Sequence, residues 1–195
     1  MKIYLKVFFM TNKLGYYKYL RTRSKIGGLY RKYYLYPILQ KYMHKKVLDV
    51  GCGVGDYLRF NKNAYGVDIN VHNINYLKSI NLNAILMEEN LLPFKSESYP
   101  SILMDNVLEH INDPNKILEE IYRVLSPNGI LVIGVPGEKG YTLDDDHKVF
   151  YDEKKLINLL SKYKFHFKKT IITPIRLKIL SRYLRQYCIY VIVCK

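Results

Sequence analysis

Between Val47 and Leu58 the chain reads VLDVGCGVGDYL, an apolar run, three alternating glycines and the start of a helical pattern. Glycines at 51, 53 and 55 let the chain turn tightly and bring backbone N–H and C=O groups against a ligand. The spacing is not G-x-G-x-x-G, and the loop lacks the terminal G-K-[ST] of a P-loop. Asp56 follows Gly55, and a carboxylate at a helix start repels a phosphate. A cationic or zwitterionic ligand is therefore expected rather than a pyrophosphate. Asp49, at the end of the apolar run, suits orienting the loop or receiving a ligand ammonium. Asp68 closes the segment Tyr65-Gly66-Val67-Asp68, where a carboxylate can accept both hydroxyls of a ribose. Glu88-Glu89 and Asp105-Asn106 close the next two apolar runs. Any one of these acids could be a helix N-cap. Polar or acidic residues at four successive strand ends mark the edge where open α/β sheets bind ligands.

Two histidines follow the later strands. His110 lies in Val107-Leu108-Glu109-His110, and His147 follows Asp144-Asp145-Asp146. An imidazole near neutral pKa is a suitable general base. A second reading has His110 capping or packing a helix and the Asp144–His147 run forming a solvated turn. No metal site is expected there.

The elements that must hold these residues follow from periodicity. Strands are predicted at 47–50, 64–69, 84–87, 101–104 and 130–135, with helical stretches between them. The clearest helix is 114–125, where Ile117, Leu118, Ile121, Val124 and Leu125 recur at a 3–4 spacing. Pro127-Asn128-Gly129 turns the chain into the fifth strand. Such alternation predicts a parallel, doubly wound α/β sheet covered on both faces. Two further strands are expected at 165–172 and 187–194, with a helical insertion at 175–185. Residues 12–46 read as helix broken at Gly27-Gly28 and before Pro37.

The net charge of +14 is unevenly spread. Residues 1–46 hold twelve Lys or Arg, nine Tyr and no acid, and residues 162–195 hold nine basic residues and no acid. All seventeen acids lie between them. A basic head and tail suit an anionic partner, whether nucleic acid, lipid headgroup or phosphorylated substrate, or simply form a solvated surface. Cys188 and Cys194, on one predicted strand, would stand roughly 20 Å apart, too far for a disulfide. With Cys52 they fit a reduced, intracellular chain. No run is long and apolar enough to span a membrane. MKIYLKVFFM is interrupted by Lys6 and lacks a small-residue cleavage site, so it is not read as a signal peptide. A cytoplasmic location is the expectation.

Taken together the motifs resemble those of the class I S-adenosylmethionine-dependent methyltransferases. VLDVGCGVGDYL resembles the family's first motif and YGVDIN (Tyr65–Asn70) its second. LPF (Leu92–Phe94), DNVLEHINDP (Asp105–Pro114) and IYRVLSPNGILVIGVPG (Ile121–Gly137) resemble the later ones, so the likeness covers about residues 40–195. It implies a Rossmann-like seven-stranded sheet, mostly parallel with an antiparallel last strand, and S-adenosyl-L-methionine as cofactor. Residues 47–195 would form the cofactor-binding domain, and the basic, Tyr-rich helical segment 1–46 a lid or a surface contact. By resemblance Asp49, Gly51, Cys52, Gly53 and Gly55 form the loop facing the methionine part. Asp68 would bind the ribose, Ile69 would flank the adenine, Glu88 would meet the adenine amino group and Glu89 would offer its backbone. Asp105 would lie near the sulfonium. Tyr99-Pro100 departs from the Phe-Asp often found before the fourth strand, at a strand start where proline is tolerated.

The Asn/Asp-Pro-Pro-aromatic motif of DNA amino-methyltransferases is missing, and so is the paired-glutamate loop of protein arginine methyltransferases. The arrangement resembles enzymes with small-molecule acceptors, including a hydroxyl of a cell-surface glycan or lipid-linked precursor, with His147 or His110 as base. RNA methylation through the basic termini, a non-catalytic cofactor-binding module and peripheral contact with an anionic membrane are the alternatives.

Overall fold

In the computed structural model, residues 13–22 and 24–195 are described. The opening run MKIYLKVFFM, expected not to be a leader, lies outside them. Helix α1 (Lys13–Arg21) precedes α2 (Lys25–Tyr30), a π-helical turn (Arg31–Leu35) and α3 (Tyr36–Gln40). Then come β1 (Val47–Val50), α4 (Asp56–Phe60), β2 (Ala64–Asp68), α5 (Val71–Ser79), β3 (Ala84–Leu86) and β4 (Tyr99–Asp105). A 3-10 turn (Leu108–His110), α6 (Asn115–Val124), β5 (Leu125–Pro136) and α7 (Glu138–Tyr141) follow. The chain closes with α8 (Glu153–Lys162), β6 (His166–Thr173), a 3-10 turn (Lys178–Arg182) and β7 (Cys188–Cys194).

The strands form one seven-stranded sheet in the order β3-β2-β1-β4-β5-β7-β6. Pairing is parallel from β3 to β5, and β7 runs antiparallel to both β5 and β6. This is the predicted Rossmann-like α/β sheet with its antiparallel last strand. Chain order reverses between β1 and β4, and at such a switch point the loops leave in opposite directions and open a crevice.

Side chains alternate across the sheet with period two. On β5, Leu131 and Ile133 join one buried cluster while Val132 joins the other. On β7, Val191 and Val193 face the first cluster, and Tyr190 and Ile192 the second. Both faces are therefore core, which is why these strands read as continuous apolar runs. Helix α6 buries Ile117, Leu118, Ile121 and Val124, the spacing seen in the sequence. The second cluster takes Leu35, Tyr36 and Leu39 from the N-terminal helices and Met43 from the turn after them, so this segment supplies core to the sheet.

Three local expectations are corrected. Gly27-Gly28 does not break the helix but lies inside α2, where a Cβ on either would meet at most an ordinary contact. Nor does the helix stop before Pro37. A π turn takes up the strain instead, with the Tyr36 N–H reaching back to the Arg31 carbonyl, so the proline that lacks a donor enters the first turn of α3. The helical insertion expected at 175–185 is reduced to a short 3-10 turn at Lys178–Arg182. The Pro127–Gly129 turn is present as an irregularity within β5, where pairing jumps from Tyr99↔Leu125 to Ser101↔Ile130. Asn128 there takes φ +60°, a left-handed conformation that Asn tolerates.

Candidate active site

A cavity of about 980 Å³ opens at the switch point, over the carboxyl ends of β1, β2 and β4. Its floor is the glycine loop. The Gly51 and Cys52 N–H groups both donate to the Val67 carbonyl, at 2.8 and 3.0 Å, tying the loop to β2. Gly51 has φ +75°, and a Cβ on it would lie 2.4 Å from Val107 Cγ2. Only glycine satisfies both demands. Gly55 differs, since it turns the chain into α4 with φ +80° and abuts Leu77 rather than lining the cavity.

Asp68 is held by three donors. The Gly53 and Asn70 N–H groups donate at 2.8 Å each and Asn73 Nδ2 at 3.2 Å. Burial raises its pKa, while the Asn70 and Gly53 bonds pull it back. Asp49 is more extreme. Burial pushes its carboxyl well above the usual range, and the charges of Asp105, Asp68 and Asp56 push the same way. Asp105 accepts from Tyr190 Oη at 2.9 Å and from Asn106 Nδ2 at 2.7 Å. Asn106 itself takes φ +54°, a strained turn held by its N–H to the Gly134 carbonyl. A carboxyl whose pKa is raised by the carboxylates around it marks a place that favours a cationic guest, because a positive charge there relieves the repulsion. This donor set and the Cβ-free approach at Gly51 fit the sulfonium and ammonium of S-adenosylmethionine.

Cys52, Gly53, Ile69, Glu89 and Asp105 all line the cavity. Glu88 does not. Its side chain is exposed, and its backbone bridges to Leu91. At that edge Met87, Glu89 and Asn90 form the wall instead.

At the other end the two candidate histidines meet edge to face, their ring centroids 4.7 Å apart and their planes at 63°. His110 Nδ1 lies 3.2 Å from Asp146 Oδ2, and His147 Nδ1 lies 2.8 Å from the Tyr141 carbonyl. His147 Nε2 faces Glu109 Oε1 at 3.7 Å. Burial lowers the His110 pKa, and the neighbouring His147 lowers it further, against the pull of Asp144 and Asp146. Glu109 is 1% exposed. Its carbonyl accepts from the Lys148 and Val149 N–H groups, which locks the His147 loop onto the turn after β4. Sequence reading missed Glu109 as a site residue, because an acid beside a histidine carries no signal until the 144–149 loop folds back over it.

Helix α1 crosses the mouth. Lys13 Nζ donates to the Ile69 carbonyl at 2.9 Å, and Asn70 Nδ2 donates to the Lys13 carbonyl at 2.6 Å. One turn on, Tyr16 packs edge-on against His110, with centroids 6.0 Å apart. Arg21 lies over the Tyr76 ring and Arg185 donates to Tyr19 Oη, so both flanks of α1 are tied down.

The strand order and the crevice at its switch point define a Rossmann-like domain. Residues 48–133 match the family model described as a methyltransferase domain. The chain is 33% identical over 122 residues to an uncharacterized protein of Methanocaldococcus jannaschii, covering 58% of this chain and 53% of that one. It is 40% identical over 63 residues to a demethylmenaquinone methyltransferase of Chlamydia pneumoniae, covering 31% and 27%. Among solved structures it shares the fold of a SAM-dependent methyltransferase from Aquifex aeolicus, with TM-score 0.64 and 21% identity over 86% of this chain and 92% of that one. Residues 48–133 thus carry a methyltransferase-domain match, and the chain as a whole shares the fold of solved S-adenosylmethionine-dependent methyltransferases. It spans about half the length of the first curated relatives it matches.

Proposed function

We propose that the protein transfers the methyl group of S-adenosylmethionine to a hydroxyl of a small, anionic acceptor, such as a glycan or lipid-linked precursor. One observation carries this reading. A single cavity joins a carboxylate-rich glycine loop at one end to a paired-imidazole cluster at the other. The bound cofactor supplies an electrophilic methyl group. The chain's own work is then to align the acceptor and provide for its proton. Asp68 holds the ribose, Gly51 and Gly53 admit the methionine part, and Asp49 and Asp105 favour its positive charge. The Glu109–His110–His147 cluster lies where the acceptor oxygen would sit. Helix α1 acts as a lid, since Lys13 touches the adenine end and Tyr16 the histidine end.

Calorimetric titration with S-adenosylmethionine, followed by transfer of labelled methyl to sugar, lipid-linked and RNA fractions, tests the proposal. The expected result is saturable binding at one site and label on a hydroxyl-bearing small acceptor. Label on RNA would replace the acceptor class. Binding without transfer to any fraction would leave a cofactor-binding module.

A lipid-linked acceptor is supported by one face of the molecule. Ile26, Leu29 and Tyr33 project from α2 and the π turn, and Ile175, Leu177, Ile179 and Tyr183 from the β6–β7 connection; all are exposed. Tyr34 Oη donates to the Pro174 carbonyl at 2.9 Å, which joins the two segments. Lys25 and Lys32 lie in the first segment, and Arg176 and Arg182 in the connection are exposed and paired with Glu153 and Glu138. Apolar side chains interleaved with cations suit an anionic bilayer surface. In this reading the protein is cytoplasmic and meets the membrane from that side. Among the described residues no helix is long and apolar enough to cross a membrane. Cosedimentation with phosphatidylserine vesicles at low salt should capture the protein. Ile26→Asp combined with Ile179→Asp should weaken capture at least about tenfold, since each side chain forfeits apolar burial of order 1 kcal/mol or more. Equal capture of variant and parent would reject this surface.

A further inference from the structure

We infer that Glu109, His110 and His147 form a binding site for a divalent transition-metal ion, facing the acceptor end of the cavity. One ligand atom from each residue lies within 4.8 Å of the other two, and all three residues line the cavity. Donors held about 2.1 Å from one tetrahedral ion stand about 3.4 Å apart. Side-chain shifts of roughly an ångström would therefore close the set.

The hydrogen bonds behind the rings carry the argument further. A backbone carbonyl can only accept, so the proton on His147 sits on Nδ1, bonded to Tyr141. Its Nε2 then presents a lone pair towards the Glu109 carboxylate, 3.7 Å away. His110 is arranged alike, with Nδ1 against the Asp146 carboxylate at 3.2 Å, which leaves Nε2 as its lone-pair nitrogen. Imidazoles whose second nitrogen is anchored to a carbonyl or a carboxylate are the pattern of metal-ligating histidines. Lys148 Nζ holds the other oxygen of Asp146 at 3.1 Å, so that anchor is itself fixed. Two imidazoles and one carboxylate suit Zn²⁺, Mn²⁺ or Fe²⁺ better than Mg²⁺, and three protein ligands leave positions open for an acceptor oxygen.

From sequence no metal is expected, because Asp144–His147 looks like a solvated turn. The fold instead brings His147 across to Glu109 and His110 and leaves Asp146 as an anchor. Binding of the ion is independent of the methyl-transfer proposal, whereas its role in holding the acceptor oxygen rests on that proposal. The two uses of the histidines exclude each other, since a nitrogen that holds a metal does not take a proton.

The test titrates tag-free, chelator-treated protein with Zn²⁺ and with Co²⁺, reading calorimetry, metal content by mass spectrometry and the visible d–d bands of cobalt. Expected are one ion per chain and cobalt bands that Zn²⁺ abolishes. Glu109→Gln should weaken binding more than about 100-fold, and Asp146→Asn, which removes only an anchor, by about tenfold or more. Circular dichroism melts identify any variant that fails to fold, and His110→Asn, at the more open ligand, is the second variant. Absence of stoichiometric binding by the parent overturns the site, and so does binding that folded Glu109→Gln and His110→Asn leave unchanged. S-adenosylmethionine titration of the same samples separates the two claims. Cofactor binding without metal binding rejects the metal site alone, and the converse rejects the cofactor proposal alone.

Discussion

Asp68→Ala will lower the affinity for S-adenosylmethionine by roughly 10²- to 10⁴-fold in calorimetric titration. The magnitude follows from two charge-assisted hydrogen bonds to the ribose hydroxyls, each worth about 1.5–3 kcal/mol, with about 1.4 kcal/mol per decade. The carboxylate is already oriented by Gly53, Asn70 and Asn73, which take three of its roughly four acceptor sites, so one hydroxyl meets a free lone pair and the other displaces the longest of these bonds, that from Asn73. The same bonds mean that Ala strands buried donors and loosens the loop. Asp68→Asn is therefore the companion variant. It keeps the volume but turns a donor towards donors, so it should bind nearly as poorly as Ala while melting differently. Wild-type affinity in both folded variants would show that the ribose is held elsewhere, and the cofactor pose proposed here would be wrong.

Gly51→Ala should destabilise the fold and abolish cofactor binding together. The residue sits at φ +75°, which costs a β-carbon-bearing residue of order 1 kcal/mol, and its Cβ would press into Val107 at 2.4 Å. Moving Val107 shifts the turn that leads to Glu109 and His110, so the damage reaches the acceptor end as well. The double variant Gly51→Ala, Val107→Ala removes the clash but not the backbone strain. It should recover part of the lost melting temperature, and the mutant cycle should give a coupling of roughly 1 kcal/mol or more. Purely additive effects would mean that the close approach to Val107 is not what demands glycine at this position.

Some of this protein was legible from one-dimensional pattern. Strand existence followed from short apolar runs ending in polar residues, and α6 from its 3–4 spacing, because those periods are set by backbone geometry alone. The glycine loop was legible because turns and close approach restrict residue type locally. The same logic failed where a neighbour decided. Gly27-Gly28 looks like a break, yet a helix whose continuation packs Leu35, Tyr36 and Leu39 against the sheet tolerates two glycines. Residues 175–185 carry a helical pattern, but an exposed connection between antiparallel strands settles for a 3-10 turn.

Around the cavity the division is sharper. Sequence alone marked Asp49, Gly51, Asp68, Ile69, Glu89 and Asp105 as the edge of a sheet and His110 and His147 as isolated bases. Tertiary structure decided which residues share a cavity. It set Glu88 outside the lining, in the turn after β3 where its backbone bridges to Leu91, and Gly55 behind the loop, at the left-handed N-cap of α4 against Leu77. It laid Lys13 and Tyr16 of α1 across the mouth, and it folded the 144–149 loop back so that His147 meets Glu109 and His110. Those contacts join residues dozens of positions apart, and no local preference encodes them. They arise from the sheet's crossovers and from burial of the helices that flank it.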